Sequence, residues 1–433
     1  MMNTVGVISL GCSKNRVDTE YLLSYLAQSG FVIVQKPADA EILIVNTCGF
    51  ITPAKQESID TILEMAQYKT KGICSLLVVT GCLSQRYSDE LKKELPEVDI
   101  FWGVKDYITL AQKLAALAGK ETLSTRDFAS RILTTPNYSA YLRIADGCDN
   151  LCTYCAIPLI RGQKKSVPMD NLLREAKALI NSGVVELTAI AQDTSAYGID
   201  IYGRPMLKEL LGELASLDGL TWLRVLYAYP NTVDEALVDE MLKSEKIIPY
   251  LDIPIQHISQ SMLTAMNRHG TRKHIERILK YIRSASPDFI LRTTVMVGFP
   301  GETEDDFKEL YDFISANPFD RLGAFVFSPE DGTHAAEMPA QVDEETAQAR
   351  LDAIMKLQRG ISLNLNQKRV GRTYRILTEE VKGETVFGRS YAEAPEVDGS
   401  ISFTRTGAPL KEGEFTQVRI TSAGHYDLQG EQV

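Results

Sequence analysis

The alternation of apolar and polar positions divides this 433-residue chain into three stretches with different rhythms. In the first, continuous β-branched and apolar runs at about 5–10, 41–47 and 75–80 read as strands buried on both faces. A helix is expected from about Arg16 to Gln28, stopped by Gly30, and another begins near Thr52-Pro53. A short run at 99–103 and a helix to about Ala118 close this unit. Such alternation with short loops predicts a parallel sheet covered on both faces. A polar connection over roughly 119–137 leads to the second stretch. There, strand-like runs at about 141–145, 184–191, 222–227, 248–253, 289–297 and 321–327 are separated by helical periodicity. Between Asp170 and Ile180 apolar residues recur three and four apart, with Asp170 as the expected N-cap and Gly183 past the end. Six such repeats amount to three quarters of a TIM-type barrel, a partial (β/α)6 unit. A long amphipathic helix over about 342–370 leads out of it. The last stretch has no helical period, only short strand-like runs such as 373–377, 386–391 and 415–420 between glycines and acidic turns. It predicts a small antiparallel β-barrel of OB-like size. The fold class is therefore α/β, in three units over 3–120, 134–366 and 368–433.

The chemistry is carried by cysteines set against these elements. Cys148, Cys152 and Cys155 lie within Gly147-Cys148-Asp149-Asn150-Leu151-Cys152-Thr153-Tyr154-Cys155, just past the first strand of the partial barrel. Barrels of this kind place their reacting groups at that rim. Four thiolates close a zinc or cubane site, whereas three leave a corner open. An iron–sulfur cube with an open iron can be chelated by the amino-acid end of S-adenosylmethionine, the radical-generating arrangement. A zinc knuckle short of one ligand is the bland alternative.

Cys12, Cys48 and Cys82 each stand just past the carboxyl end of a predicted strand, about one strand–helix–strand unit apart. A parallel sheet brings those ends to one edge, where such folds bind ligands. A second three-cysteine site is therefore expected. A buried structural thiol is the alternative for each, and it is the role expected for Cys74, which precedes its strand. Further polar groups fall along the barrel: Tyr154 in the cysteine loop, Gln192 and Asp193 after the second strand, Arg224 in the third, and Gln256 and His257 after the fourth. Gly298, Gly301 and Glu302 follow the fifth, where two glycines let backbone approach a ligand at a helix N-terminus. A plain tight turn and a hydrogen-bonded structural histidine are the alternatives at these last positions.

Composition narrows the class. With 44% hydrophobic and 24% charged residues the chain is of ordinary globular type. No apolar run approaches the ~20 residues that cross a bilayer, and the N-terminus shows no charged leader, so no membrane and a cytoplasmic location are expected. An odd count of seven cysteines favours reduced thiols and metal ligation over disulfides. The net charge of −11 disfavours nonspecific attraction to nucleic acid and suits a basic protein partner. From Arg372 to the end, seven Lys and Arg stand against ten Asp and Glu. Small barrels that grip RNA normally carry the opposite sign.

Gly11-Cys12-Ser13-Lys14-Asn15, Asn46-Thr47-Cys48, Thr80-Gly81-Cys82 and the Cys148–Cys155 loop resemble the radical S-adenosylmethionine methylthiotransferases. The likeness extends along essentially the whole chain, through the family's N-terminal domain, its radical core and its terminal TRAM domain. Within that family, branches modify an adenosine of tRNA, a threonylcarbamoyl-adenosine of tRNA, or an aspartate of a small-subunit ribosomal protein. Cys155-Ala156-Ile157-Pro158-Leu159-Ile160-Arg161-Gly162, Ala191-Gln192-Asp193-Thr194, residues 251–259 and residues 327–333 are similar to the third branch. Ser166-Val167 departs from the usual Ser-Arg after the cysteine loop.

The resemblance implies two 4Fe–4S clusters, one on Cys148, Cys152 and Cys155 and an auxiliary one on Cys12, Cys48 and Cys82. S-adenosylmethionine would serve twice, first as methyl donor to a sulfur on the auxiliary cluster and then as radical source. Tyr154, Gln192, Asp193, Arg224, Gln256, His257, Gly298, Gly301 and Glu302 are the expected contacts to it. Such chemistry belongs to the cofactor, with the protein supplying orientation, because no side-chain base removes an unactivated hydrogen at neutral pH. The substrate implied is an aspartate β-carbon of a small-subunit ribosomal protein, free, in the ribosome or in an assembly intermediate. A flavodoxin-like or ferredoxin-like electron donor is implied too, and nucleic-acid contact would be incidental. A tRNA methylthiotransferase, a non-catalytic iron–sulfur module and a zinc scaffold are the competing readings.

Overall fold

The computed structural model describes residues 2–122, 130–406 and 409–433; part of the expected connection, at 123–129, lies outside the described residues. The first sheet has five parallel strands, β1 (Thr4–Ser9), β2 (Val32–Ile33), β3 (Ile42–Thr47), β4 (Leu76–Gly81) and β5 (Ile100–Phe101), in the order β2-β1-β3-β4-β5. The three central strands match the apolar runs, and β3 is buried throughout. The two-residue strand β2 has no sequence counterpart, because so short a run carries no periodicity. The helix Ser13–Gln28 begins three residues earlier than its apolar period suggested, with Cys12 in the extended conformation at its N-cap. Register matters most here: Ser9 lies beside Asn46, Asn46 beside Thr80, and Thr47 beside Gly81. The ends of the three strands are level.

The second unit is a six-stranded parallel sheet in the order β13-β12-β11-β10-β9-β6. Its strands are β6 (Ser139–Arg143), β9 (Glu186–Ile190), β10 (Trp222–Val225), β11 (Ile247–Asp252), β12 (Ile290–Val297) and β13 (Arg321–Val326). Between the first two, the pair β7 (Ala145–Asp146) and β8 (Lys165–Ser166) closes the base of the cysteine loop as an antiparallel ladder. The helix expected to start at Asp170 runs over Met169–Asn181 with Pro168 at its N-cap. Proline fixes a φ suited to helix entry, which moves the start upstream and leaves Asp170 in the first turn.

The last unit is a closed barrel of β14 (Thr373–Lys382), β15 (Thr385–Arg389), β16 (Ile401–Thr404), β17 (Phe415–Ala423) and β18 (Leu428–Gln432). Its pairs are antiparallel except β16 with β18, which run parallel. This barrel does not float on a tether. Leu377, Ala392 and Ala394 share one apolar core with Tyr141, Trp222 and Tyr250 of the parallel sheet and with Val17 and Leu110 of the N-terminal unit. Ionic and hydrogen-bonding groups reinforce that joint. Asp398 accepts from the Tyr250 hydroxyl (2.7 Å), Glu393 pairs with Arg321 (3.0 Å), and Arg389 pairs with the fully buried Glu186 (2.7 Å). Of the ten carboxylates counted in the sequence, Glu380, Glu384, Glu396, Glu412, Glu414 and Asp427 are exposed, so most of that acidity faces solvent and only a minority is used in the joint.

Candidate functional site

The three N-terminal cysteine loops are stitched together by side-chain amides. Asn15 Nδ2 donates to the carbonyls of Leu10 (3.1 Å) and Thr47 (2.9 Å), and Asn46 Nδ2 donates to the carbonyl of Asn15 (2.9 Å). Ser58 receives the Cys48 N–H and returns its own hydroxyl to the Cys48 carbonyl. Close approach also requires two glycines in the left-handed region. A Cβ on Gly11 would lie 2.8 Å from Cys48 Cβ, and one on Gly81 would lie 2.4 Å from the Thr47 carbonyl. Cys74 is elsewhere, buried in the apolar core behind β3 and β4, its thiol directed at the Leu76 carbonyl.

The contiguous trio is held from the barrel side. Thr153 donates its N–H to the Met266 carbonyl (3.1 Å) and its hydroxyl to Ala265 (2.9 Å), while Asn267 Nδ2 donates to Leu151 (2.7 Å). Arg268 donates to the Tyr154 hydroxyl (3.1 Å) and the Pro254 carbonyl (2.6 Å), and stacks on the Tyr229 ring. Asn150 Nδ2 reaches Asp193 (2.8 Å).

Both trios line one cavity of about 350 Å³. Its wall holds Cys12, Cys48, Cys82, Cys148, Cys152 and Cys155 with the apolar Phe50, Ile157 and Ile160. Among the described residues no His, Asp or Glu lines it, while three cations, Lys14, Arg161 and Arg268, do. The two cysteine-bearing pieces touch directly, since Cys82 and Val104 pack on Ala156 and Ile160. Beneath them Arg161 is the central tie. It donates to Asn15 Oδ1 (2.7 Å), Asp18 (2.9 Å) and Asp146 (3.1 Å), and its guanidinium stands 3.8 Å from Cys82 Sγ. Arg143 also pairs with Asp18. Burial by itself would raise the Asp146 carboxyl, but Arg143 and Arg161 bring it down to about 2.

Burial pushes the thiols of Cys82 and Cys155 up to about 12 and that of Cys148 to about 11, and raises Cys48 as well. Thiols so placed ionise only when a cation compensates them, as a metal does. Among the described residues no group of three or more His, Cys, Asp or Glu side chains gathers closely enough to hold a single metal ion. A structural zinc needs that closeness. An iron–sulfur cube does not, because each thiolate binds a different iron. Two sets of three thiols, with no fourth protein ligand in the wall, fit two cubes with open corners. Gln192 offers a second point of fit: its Nε2 is bonded to Asp146 (3.0 Å), while its buried Oε1 has no partner among the described residues. That acceptor is available to the amino or hydroxyl groups of a ligand.

Of the remaining expected contacts, Tyr154 and Gln256 line the cavity. Asp193 stands behind it, taking Ser195 Oγ, the Ala196 N–H and Asn150. Five others are outside the lining. Arg224 is fully buried at the opposite end of the sheet, paired with Glu186 and donating to the Tyr391 carbonyl (2.9 Å) of the terminal barrel. His257 pairs with Glu302 (3.2 Å), and Glu302 in turn takes the Gly298 N–H (2.6 Å) and Arg350 (2.7 Å). Gly301 donates to the Ala340 carbonyl (2.8 Å). These groups brace the loop after β12. Sequence reading passed over Lys14, Arg161, Tyr227 and Arg268. The first two stand inside quoted motifs; no periodicity or spacing marks the other two.

Residues 4–103 match the Uncharacterized protein family UPF0004, residues 142–314 the Radical SAM superfamily, and residues 370–433 the TRAM domain. A ribosomal protein uS12 methylthiotransferase RimO of Acetivibrio thermocellus is 46% identical over 448 residues, covering 100% of this chain and 98% of that protein. Proteins of the same name from Clostridium perfringens (98% of this chain, 97% of that protein) and Clostridioides difficile (99% of each) are also 46% identical. Among solved structures, the radical S-adenosylmethionine methyltransferase TsrM of Kitasatospora setae shares the fold with a TM-score of 0.57 at 13% identity, over 89% of this chain and 80% of that one. With its three domains in order and nearly half its residues shared end to end with such relatives, the chain belongs to the RimO family of radical SAM methylthiotransferases.

Proposed function

We propose that this chain adds a methylthio group to the β-carbon of an aspartate in ribosomal protein uS12, using two 4Fe–4S clusters and S-adenosylmethionine. The observation that carries the reading is the pair of three-thiol sets lining one cavity in which, among the described residues, there is no carboxylate or imidazole. In this reading Cys148, Cys152 and Cys155 hold one cluster and Cys12, Cys48 and Cys82 the other, each with an open iron. When bound, these groups supply one-electron cleavage of a sulfonium, removal of an unactivated hydrogen, and a sulfur atom to put in its place.

The chain's own work is placement. Asn15 and Asn46 keep the dispersed trio level, while Arg161, Asp18 and Asp146 fix the distance between the two trios. Phe50, Ile157 and Ile160 keep water from the gap, which protects a reactive species from quenching. Tyr154, Gln192 and Gln256 are the cavity residues assigned to S-adenosylmethionine, and Asp193 reaches the same loop through Asn150. Arg224, His257, Gly298, Gly301 and Glu302 are assigned to supporting roles on their observed partners. The working units are 3–120, 134–366 and 368–433. The partners are uS12, free or in the small subunit, and a flavodoxin-like or ferredoxin-like reductant in the cytoplasm.

The test is mass spectrometry of uS12 after incubation with the anaerobically reconstituted protein, reductant and S-adenosylmethionine. The expected product is uS12 heavier by one CH2S unit on a single aspartate, from a protein carrying about eight irons. Methylthiolated tRNA with unmodified uS12, or about four irons per chain, would overturn the assignment.

A further inference from the structure

Of the three cations in the cavity wall, two are already committed. Arg161 is bound to Asp18, Asp146 and Asn15, and Arg268 to Tyr154, Pro254 and the face of Tyr229. Lys14 is not. It is 7% exposed, in the first turn of the helix that follows Cys12, and among the described residues no carboxylate forms an ion pair with it. Its ammonium instead rests 3.0 Å from the centroid of the Tyr227 ring. Asp252 is near enough to feel its charge but is ion-paired with Arg292 (3.1 Å), so the ammonium, resting on an aromatic face, retains part of its demand for an anion.

The platform beneath it is built with some strain. Tyr227 has φ +64, a conformation that costs a bulky residue energy, and lies two residues past the end of β10. It is held there by its N–H on Asp252 (3.3 Å) and by Thr194, whose N–H donates to the Tyr227 carbonyl (3.0 Å). Lys14 comes from the N-terminal unit and Tyr227 from the partial barrel. Their contact therefore joins the two units that carry the cysteine sets, and both line the cavity.

We propose that Lys14, seated on Tyr227, binds the carboxylate of the aspartate that is modified. This rests on the uS12 reading above and goes further, since it names the specificity-determining residue. The carboxylate is one bond from the β-carbon, so anchoring it fixes which hydrogen faces the cavity. A wall with cations and no carboxylate admits that anion and disfavours a second positive charge.

The experiment compares uS12 with a uS12 variant whose modified aspartate, located by mass spectrometry, is replaced by asparagine. Asparagine keeps the shape and loses the charge. Binding and KM are measured for the reconstituted wild-type, Lys14→Met and Lys14→Arg proteins. The wild type is expected to bind the aspartate form about thirtyfold or more tightly than the asparagine form, as for a buried charge pair. Lys14→Met should bind both forms equally, and Lys14→Arg should keep the preference. A Lys14→Met protein that still prefers aspartate as the wild type does overturns the proposal. So does one that loses iron in step with affinity, or that raises only the requirement for S-adenosylmethionine. Failure of the unaltered chain to modify uS12 at all would instead sink the uS12 assignment and the role of Lys14 with it.

Discussion

The two cysteine sets reach the same cavity by different routes. Cys148, Cys152 and Cys155 occupy one loop, so chain connectivity alone brings them near one another, and the fold need only aim that loop. Cys12, Cys48 and Cys82 come from three strand ends, and only the level register of β1, β3 and β4 unites them. The first set is bound to the barrel by backbone and hydroxyl groups of 153, 265 and 266. The second depends on buried amides and two glycines without room for a side chain. A contiguous site is therefore cheap to encode and sensitive at the cysteines themselves. A dispersed one is sensitive wherever its register is set.

The largest contrast comes from removing a ligand in each set. Cys152→Ala is expected to abolish 5′-deoxyadenosine formation, whereas Cys48→Ala should retain part of it and yield no methylthiolated uS12; chromatography of the nucleoside and mass spectrometry of the protein read the two outcomes. Product from Cys48→Ala would break the comparison. Next is the tie between the sets. Arg161→Gln leaves the buried Asp18 with Arg143 as its remaining cation, and loss of one charged hydrogen bond of this kind costs about 1.5–3 kcal/mol. Denaturant unfolding should show that loss, with methylthiolation falling more than cleavage of S-adenosylmethionine.

A smaller effect is expected at Gly81, whose φ of +99 and crowded surroundings oppose any side chain. Gly81→Ala should lower stability by about 1–3 kcal/mol and reduce iron selectively in the dispersed set, read by iron analysis of the purified protein. Wild-type iron in that variant would show that register is less critical than the packing suggests.

The smallest effect concerns the far end of the sheet, where Trp222 meets Phe415 of the terminal barrel edge to face (ring centroids 4.8 Å apart). Burial acts to raise the Glu186 carboxyl, but Arg389 and Arg224 lower it to about 2. A carboxylate depressed in the folded state stabilises fully above its unfolded value of about 4.3 and loses that contribution as pH falls toward the folded one. Trp222 fluorescence should therefore report loosening of the terminal barrel between about pH 4 and pH 2. Burial acts to raise the Glu393 carboxyl too, but Arg369 and Arg321 in the same joint hold it at about 2, and it loses its contribution over the same range. Glu186→Gln should therefore reduce the pH step without abolishing it. An unchanged step in that variant would place the titration elsewhere.

Much of the architecture was legible because it follows from periodicity. The longer strands of both parallel sheets were found within a residue or two, since buried strands need unbroken apolar runs. In the terminal barrel three of the five strands were located, β14 and β17 running on past the expected ends. Strands of two residues, such as β2, β7 and β8, carry no such signal. The parallel pairing of β16 with β18 is a matter of chain path, on which local preference is silent. Arg224, His257 and Glu302 read as site residues because a polar group within or after a strand is conspicuous. Whether it meets a ligand or a neighbouring domain depends on which end of the sheet is covered.

By itself the sequence determined the alternating strands and helices and the open-cornered Cys-x3-Cys-x2-Cys loop, because both are set by residues close together along the chain. It also placed Cys12, Cys48 and Cys82 at equivalent strand ends. Only the tertiary structure decided that both sets share one cavity, that Arg161 spans them, and that Lys14 stands there on the Tyr227 ring. Those facts depend on contacts between units more than a hundred residues apart, which hydrophobic pattern and spacing do not encode.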